Sequence, residues 1–249
     1  MTYIPLSAEK IAALCGLDPS TISVFDSLPS TNTYLSALAR EGEHEGRIIL
    51  AEEQTAGRGR LGRQFFSPKG SGIYLSVLLR PRVLDPGRLT TLSAVVVASA
   101  IERIYDIKVG IKWVNDLLFD GKKLCGILAE GAGREFAVLG IGINVTRQAF
   151  PPELADIATS LEDIWGKVID RNVLVAEILK GFENAEPEGF SHMEEYRRRS
   201  LTLGKKVSVL GQDEILEILA IEDDGALLAR GEDGQVRRIS SGEVSIRNL

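Results

Sequence analysis

Apolar positions recur along the chain at two spacings, every third or fourth residue in some stretches and every second in others. The changes of spacing mark out its elements. Residues 7–17 and 31–41 read as short helices, the second opening on Ser30-Thr31-Asn32, side chains suited to capping a first turn. Residues 47–52 and 72–80 read as strands, and 89–105 as a helix with Leu92, Val95, Val96 and Ala100 at helical spacing. Beyond it, 107–119, 124–130 and 136–145 are predicted extended, and 172–182 and 193–200 helical. Past Leu203 short β-rich runs alternate with Asp224-Gly225, Asp233-Gly234 and Ser241-Gly242, the punctuation of a small all-β unit of about five strands. The expected division is a large unit over 1–203 and a small one over 204–249.

A chain of 249 residues fits one large domain, or one large and one small, and 44% hydrophobic with 26% charged residues is the balance of a globular protein. No apolar run approaches the ~20 residues that cross a bilayer; the longest, over 94–100, is broken by Ser99. Pro5, Glu9 and Lys10 stand where a secretory leader needs a basic start and an apolar middle, so a cytoplasmic location is expected. The net charge of −6, from 29 basic and 35 acidic residues, argues against a protein that coats nucleic acid. Cys15 and Cys125 make no disulfide framework, and His44 and His192 have no metal-ligating neighbours in sequence, which disfavours a zinc enzyme or a Ser-His-Asp hydrolase. Any catalysis must rest on Lys, Arg, Asp and Asn.

Two segments concentrate such residues. Gly57-Arg58-Gly59-Arg60-Leu61-Gly62-Arg63, inside the loop predicted over 54–70, holds three arginines and three glycines in seven positions. Glycines let successive backbone N–H groups converge on an anion, and arginines add forked donors for phosphate or carboxylate. Such dense like charge predicts a loop that orders around a ligand; a solvated loop or an RNA-touching patch are the plainer readings. It is no P-loop, lacking the Gly-Lys-Ser/Thr ending, and no dinucleotide fingerprint.

The second segment runs from Lys112 to Leu128. Asp120-Gly121 predicts a two-residue hairpin turn that pairs Phe119 with Lys122, Leu118 with Lys123 and Asp116 with Cys125. Alternation then puts Lys112, Val114, Asp116 and Leu118 on one face with Lys123, Cys125 and Ile127. Two lysines and a carboxylate on a half-buried face are costly unless they pair or serve a ligand, so a structural ion pair and a ligand site both stay open. Trp113 reads as core, and Asn115 as facing the opposite side unless a bulge or twist redirects it.

Taken in order, Asp26-Ser27-Leu28-Pro29-Ser30-Thr31-Asn32, the run AEEQTAGRGRLGRQFFSP over 51–68, the run over 112–130, Gly140-Ile141-Gly142-Ile143-Asn144 and Gly242-Glu243-Val244-Ser245-Ile246-Arg247 resemble the biotin protein ligases. Two positions depart from the family's pattern: Val114 stands where Pro is usual and Phe65 where Trp is usual. The resemblance implies an α+β fold, a class II aminoacyl-tRNA synthetase-like mixed sheet with helices followed by a small SH3-like β-barrel. It also implies ATP-dependent activation of biotin as biotinyl-5′-AMP and transfer to a lysine of a biotin carboxyl carrier protein or biotin-dependent carboxylase domain. The segment before Asp26 is too short for the helix-turn-helix domain that some members carry, so a monofunctional ligase is expected.

The family's chemistry implies Mg²⁺ beside ATP, with Arg60, Lys123, Asp116 and Lys112 in catalysis. Asp116 is left between orienting or deprotonating the acceptor amine and helping to hold the metal. Biotin contacts carried over are Ser30, Thr31, Asn32, Gln54, Arg58, Gly59, Arg60, Lys123, Gly126 and Gly142; nucleotide contacts are Arg58, Arg60, Arg63, Phe65, Lys112, Asn115, Lys123 and Asn144. For Ser30 to Asn32 a helix cap is the plainer role, compatible with the other. A lipoate– or octanoate–protein ligase or transferase of the same fold is the nearest alternative, against which polar Thr31 and Gln54 suit a ureido ring. An RNA-binding module using the Arg-Gly loop is the other. No nucleic-acid or membrane partner is expected; monomer and homodimer both stay open.

Overall fold

The computed structural model describes residues 3–80, 85–132, 135–147, 150–185, 191–209, 214–240, 242 and 244–246. The chain opens with α1 (Ala8–Cys15), which starts where the Ser7 side chain accepts from Lys10 N and stops at Gly16, whose φ of 80° reverses the backbone. Then follow β1 (Ile22–Phe25), α2 (Thr31–Arg40), β2 (Ile48–Ala51), β3 (Gly72–Leu79) and α3 (Pro86–Tyr105). The last begins three residues before the predicted start, because Asp85 caps it by accepting from Arg88 N and Pro86 takes its first position. β4 (Gly110–Lys112), β5 (Asp116–Phe119), β6 (Lys122–Ala132) and β7 (Phe136–Asn144) complete the first sheet, and the short α4 (Pro152–Ala155) and α5 (Leu161–Trp165), unforeseen in the sequence, follow. Helices α6 (Arg171–Glu183) and α7 (His192–Arg199) lead to β8 (Lys206–Val209), β9 (Ile215–Ile221), β10 (Leu227–Arg230), β11 (Val236–Ile239) and β12 (Val244–Ile246).

The first sheet runs β1-β2-β3-β7-β6-β5-β4, with β1 and β2 parallel and the other neighbours antiparallel. One face is buried under α1, α3 and α6 in a core that includes Ile11, Ile73, Leu75, Ile101, Ile141 and Leu174. On the opposite face α2 packs Leu35 and Ala39 onto Ile49, Leu78 and Val138. That helix is short and covers only part of the face.

The stretch predicted extended over 107–119 is broken. β4 ends at Lys112, the Trp113–Val114 peptide is cis, and the chain turns before β5. Two anchors hold the turn: the Trp113 indole N–H donates to Gly225 O at 2.7 Å, and Asn115 exchanges bonds with β6, Nδ2 to Ile127 O at 2.9 Å and Ile127 N to Asn115 O at 3.0 Å. Asn115 is thereby swung onto the site side. The hairpin forms at Asp120-Gly121 with Phe119 opposite Lys122 and Leu118 opposite Lys123, but the register then shifts so that Leu117 pairs with Cys125 and Asp116 with Gly126. The extra residue in β6 is a β-bulge. It sends Cys125 and Ile127 into the core, contrary to the predicted shared face, while Lys123 stays beside Asp116. Burial pushes the Cys125 thiol well up, so this sulfur is no nucleophile.

The second sheet is antiparallel, in the order β11-β10-β9-β8-β12, and among the described residues no ladder joins β12 to β11 to close a barrel. Glu243 and Arg247 of the expected closing strand, and Ser241 of the third turn, lie outside the described residues. The two sheets share one continuous core. Near their junction His192 Nε2 lies 3.1 Å from Thr91 Oγ1, and burial, with Arg88 and Arg197 nearby, lowers its pKa to about 4. Between pH 6.5 and 4 the unfolded chain therefore takes up a proton that the folded chain refuses, and stability falls as pH drops. His192→Gln is expected to flatten that part of a Tm-against-pH curve; an unchanged slope would place the acid sensitivity elsewhere.

Candidate functional site

The partly covered sheet face carries the site. Across it Asp116, Gly126, Gly142, Tyr74 and Ala51 form one row of cross-strand neighbours, and Leu128, Gly140, Ser76 and Ile49 the next. Glycine there answers a need for space. A Cβ on Gly140 would lie 2.3 Å from Asn32 Oδ1, and one on Gly142 would lie 2.7 Å from the Phe65 ring. Gly140→Ala is expected to cost about 1–3 kcal/mol by forcing α2 off the sheet. Chemical denaturation measures it, and unchanged stability would mean that the start of α2 moves aside freely.

The first turn of α2 supplies a polar rim. The Ser30 side chain caps the helix by accepting from Thr33 N. Thr31 N and Oγ1 both reach Gln54 Oε1, at 2.9 and 3.1 Å, and Gln54 Nε2 donates to Ser67 Oγ at 3.0 Å. Ser76 Oγ donates to Asn32 Oδ1 at 2.6 Å and lies 2.8 Å from Thr31 Oγ1. Ser76 was not foreseen: one hydroxyl in an apolar strand carries no signal until the sheet lays it under α2. The same is true of Tyr74, whose ring meets Phe65 edge-on with centroids 6.5 Å apart.

The Arg-Gly segment crosses this rim as a strap with a single 3₁₀ turn over Arg60–Gly62. Arg60 reaches both ways: one guanidinium nitrogen donates to Asn115 Oδ1 at 3.2 Å, the other to Gly242 O at 3.0 Å. Arg58 turns instead to Glu130, at 2.8 Å. Lys123 Nζ is 2.7 Å from Asp116 Oδ1, yet that oxygen is buried without an aligned hydrogen bond, so the contact is chiefly Coulombic.

Three adjoining cavities lie between strap and sheet. A narrow slot of about 50 Å³ is lined by Ser30, Thr31, Asn32, Gln54, Arg58, Gly59, Arg60, Phe65, Asn115, Lys123, Gly126 and Gly142, among others. Next to it, a cavity of about 80 Å³ brings in Arg63, Lys112 and Asp116. Beyond it from the slot is one of about 410 Å³, lined also by Asn144 and by Phe66, Phe150, Leu154 and Ile157, which sequence reasoning passed over. Phe65 and Lys123 line all three. The middle cavity sets four cations (Arg60, Arg63, Lys112 and Lys123) against the single carboxylate of Asp116, a local excess of positive charge in an acidic chain. Every site residue singled out in the sequence thus lines this run of cavities. Two differ from expectation in detail: the Arg58 side chain is tied to Glu130, and the Asn32 amide spends its hydrogen bonds on protein groups.

A polar slot leading into a cation-lined chamber is a site for an anion joined to a less polar body. Residues 24–145 match the Biotin/lipoate A/B protein ligase family, and residues 202–247 match the Biotin protein ligase C terminal domain. The chain is 36% identical to the biotin--[acetyl-CoA-carboxylase] ligase of Mycobacterium tuberculosis, over 86% of this chain and 85% of that protein. It is also 36% identical to the bifunctional ligase/repressor BirA of Bacillus subtilis, over 89% of this chain and 72% of that one. The biotin protein ligase of Aquifex aeolicus, solved in complex with biotin and ATP, superposes with a TM-score of 0.79 at 30% identity, covering 92% of this chain and 99% of that chain. Fold and site together define a protein ligase with a mixed sheet, helices and a small C-terminal β-sheet unit. The chain belongs to the biotin protein ligase family. No helix among the described residues is long and apolar enough to cross a membrane.

Proposed function

We propose that this chain binds biotin and ATP, joins them as biotinyl-5′-AMP, and transfers the biotinyl group to a lysine of a biotin carboxyl carrier protein or carboxylase carrier domain. The observation that carries this reading is the position of Lys123, common to the polar slot and to both outer cavities. Biotin's ureido ring fits the slot beside Thr31 and Gln54, and the nucleotide fits the outer cavities beside Arg63, Phe65, Lys112 and Asn144. The carboxylate then meets the α-phosphorus at Lys123. A carboxylate oxygen forms the new bond to phosphorus, the bond to the β-phosphate bridge breaks, and pyrophosphate leaves. Lys123 and Arg60 offset the charge that builds on the phosphoryl oxygens.

In the second step the carrier's amine attacks the acyl carbon, AMP departs, and the amine's proton must be taken up. Asp116 suits that task or the orientation of the amine. As the one carboxylate lining the cation-rich cavity it would also suit Mg²⁺, with its Oδ1 shared with Lys123 Nζ at 2.7 Å. Among the described residues no cluster of three or more acidic, His or Cys side chains could hold a metal by itself. Asp116 would therefore share the ion with the nucleotide's phosphates, and the ion would neutralise their charge. The strap keeps water from the mixed anhydride. Residues 1–203 act as the catalytic unit and 204–249 as a C-terminal unit that meets the strap through Gly242. A reaction that consumes ATP fits the cytoplasm.

Incubation with ATP, Mg²⁺, biotin and a biotin carrier domain is expected to add one biotinyl mass to the carrier. No mass gain, with lipoate accepted in its place, would overturn the substrate assignment.

A further inference from the structure

Glu130 lies towards the end of β6, on the α2 side of the sheet, and lines a recess behind the slot rather than the slot itself. Its two carboxylate oxygens serve different elements. Oε1 pairs with Arg58 at 2.8 Å, and Oε2 accepts from Asn32 Nδ2 at 3.0 Å. Arg58 belongs to the strap and Asn32 to the first turn of α2, and both line the slot. Asn32 has little freedom of its own. Its Nδ2 also reaches Leu128 O at 3.3 Å, its Oδ1 accepts from Ser76, and its amide lies against the bare Cα of Gly140. Asn32 is a fixed post, and Glu130 is the group that ties the strap to it.

We propose that Glu130 is a positioning residue for the biotin pocket: its carboxylate, braced on Asn32 at the slot's rim, fastens Arg58, and with it the strap backbone through Gly59 and Arg60, above the same slot. The role rests on biotin being the ligand, as proposed above. The Arg58 and Glu130 side chains are 51% and 28% exposed, so the pair by itself is weak and sensitive to salt. Its value lies in ordering a glycine-rich strap before the ligand arrives, which lowers the entropy that binding must overcome.

The test is titration of biotin alone into wild type, Glu130→Gln, Glu130→Ala, Arg58→Met and the Arg58→Met/Glu130→Ala double variant, at low and high salt. Glu130→Ala is expected to bind biotin about tenfold more weakly, a change of roughly 1.4 kcal/mol. Glu130→Gln keeps an acceptor for Asn32 and falls between. The double variant binds no more weakly than Glu130→Ala, because Arg58 acts through the missing carboxylate. Salt weakens wild type more than Glu130→Gln, and in turnover KM for biotin rises more than kcat falls. Wild-type affinity in both Glu130 variants, or losses that simply add in the double variant, would overturn the role. Should Glu130→Ala fail to fold, the Gln variant carries the comparison. Wild type that does not bind biotin at all would overturn the biotin reading itself, which is a separate result.

Discussion

Lys123→Ala is expected to lower the rate of pyrophosphate release by about 10²–10³-fold, the usual loss when one preorganised charge-stabilising donor is removed. Lys123 is the cation shared by the slot and both outer cavities, and its ammonium is held in place by Asp116 at 2.7 Å. The fold should survive with a modest loss of stability, because the Lys123 and Asp116 side chains are 36% and 22% exposed and the carboxylate left without its cation is only partly buried. Lys123→Arg should not restore activity, because a planar guanidinium does not put a compact point charge where the ammonium sits, packed over Gly126, where an added Cβ would lie 3.2 Å from both Lys123 Cε and Nζ. Pyrophosphate release measured with biotin and ATP, beside a thermal melt, makes the comparison. Wild-type release by a folded variant would remove Lys123 from the reaction.

Arg60→Gly is expected to speed dissociation of biotinyl-AMP by about 10–100-fold, as loss of one or two charged hydrogen bonds does. In the wild type the guanidinium spans from Asn115 Oδ1 to Gly242 O, so it pins the strap at once to the hairpin and to the second sheet. Glycine removes both bonds and adds backbone freedom to a segment that already has three glycines. Adenylate synthesis should continue at a reduced rate, since Lys123 is untouched while Arg60's share of the charge stabilisation is lost, and the product should leave early and meet water. A chase of pre-formed adenylate gives the rate directly, and an unchanged rate would mean that the strap does not retain the intermediate.

Much of the fold was legible because its cues are local. Capping side chains marked α2, Asp120-Gly121 marked the hairpin, and Gly punctuation marked the second sheet. The bulge at β6 was not legible, because which face Cys125 takes depends on the apolar core across the sheet. The break at Trp113 depends on Gly225, more than a hundred residues away. Among the residues that line the cavities, those that stand in dense clusters of charge or glycine were legible. Ser76, Tyr74 and Glu130 were missed, because each is an ordinary strand residue until the sheet sets it beside α2 or the strap.

By itself the sequence determined the kinds of chemistry available: a dense Arg-Gly strap, a lysine and a carboxylate near one tight turn, and too few His and Cys for other catalysts. Those follow from side-chain type and spacing, which need no partner. Only the tertiary structure decided which groups face one another. Cross-strand register set three glycines beneath Asn32 and Phe65, turned Asn115 inward, and brought Gly242 of the second sheet to Arg60. These are contacts between distant parts of the chain, selected by packing of the core, and no local pattern encodes them.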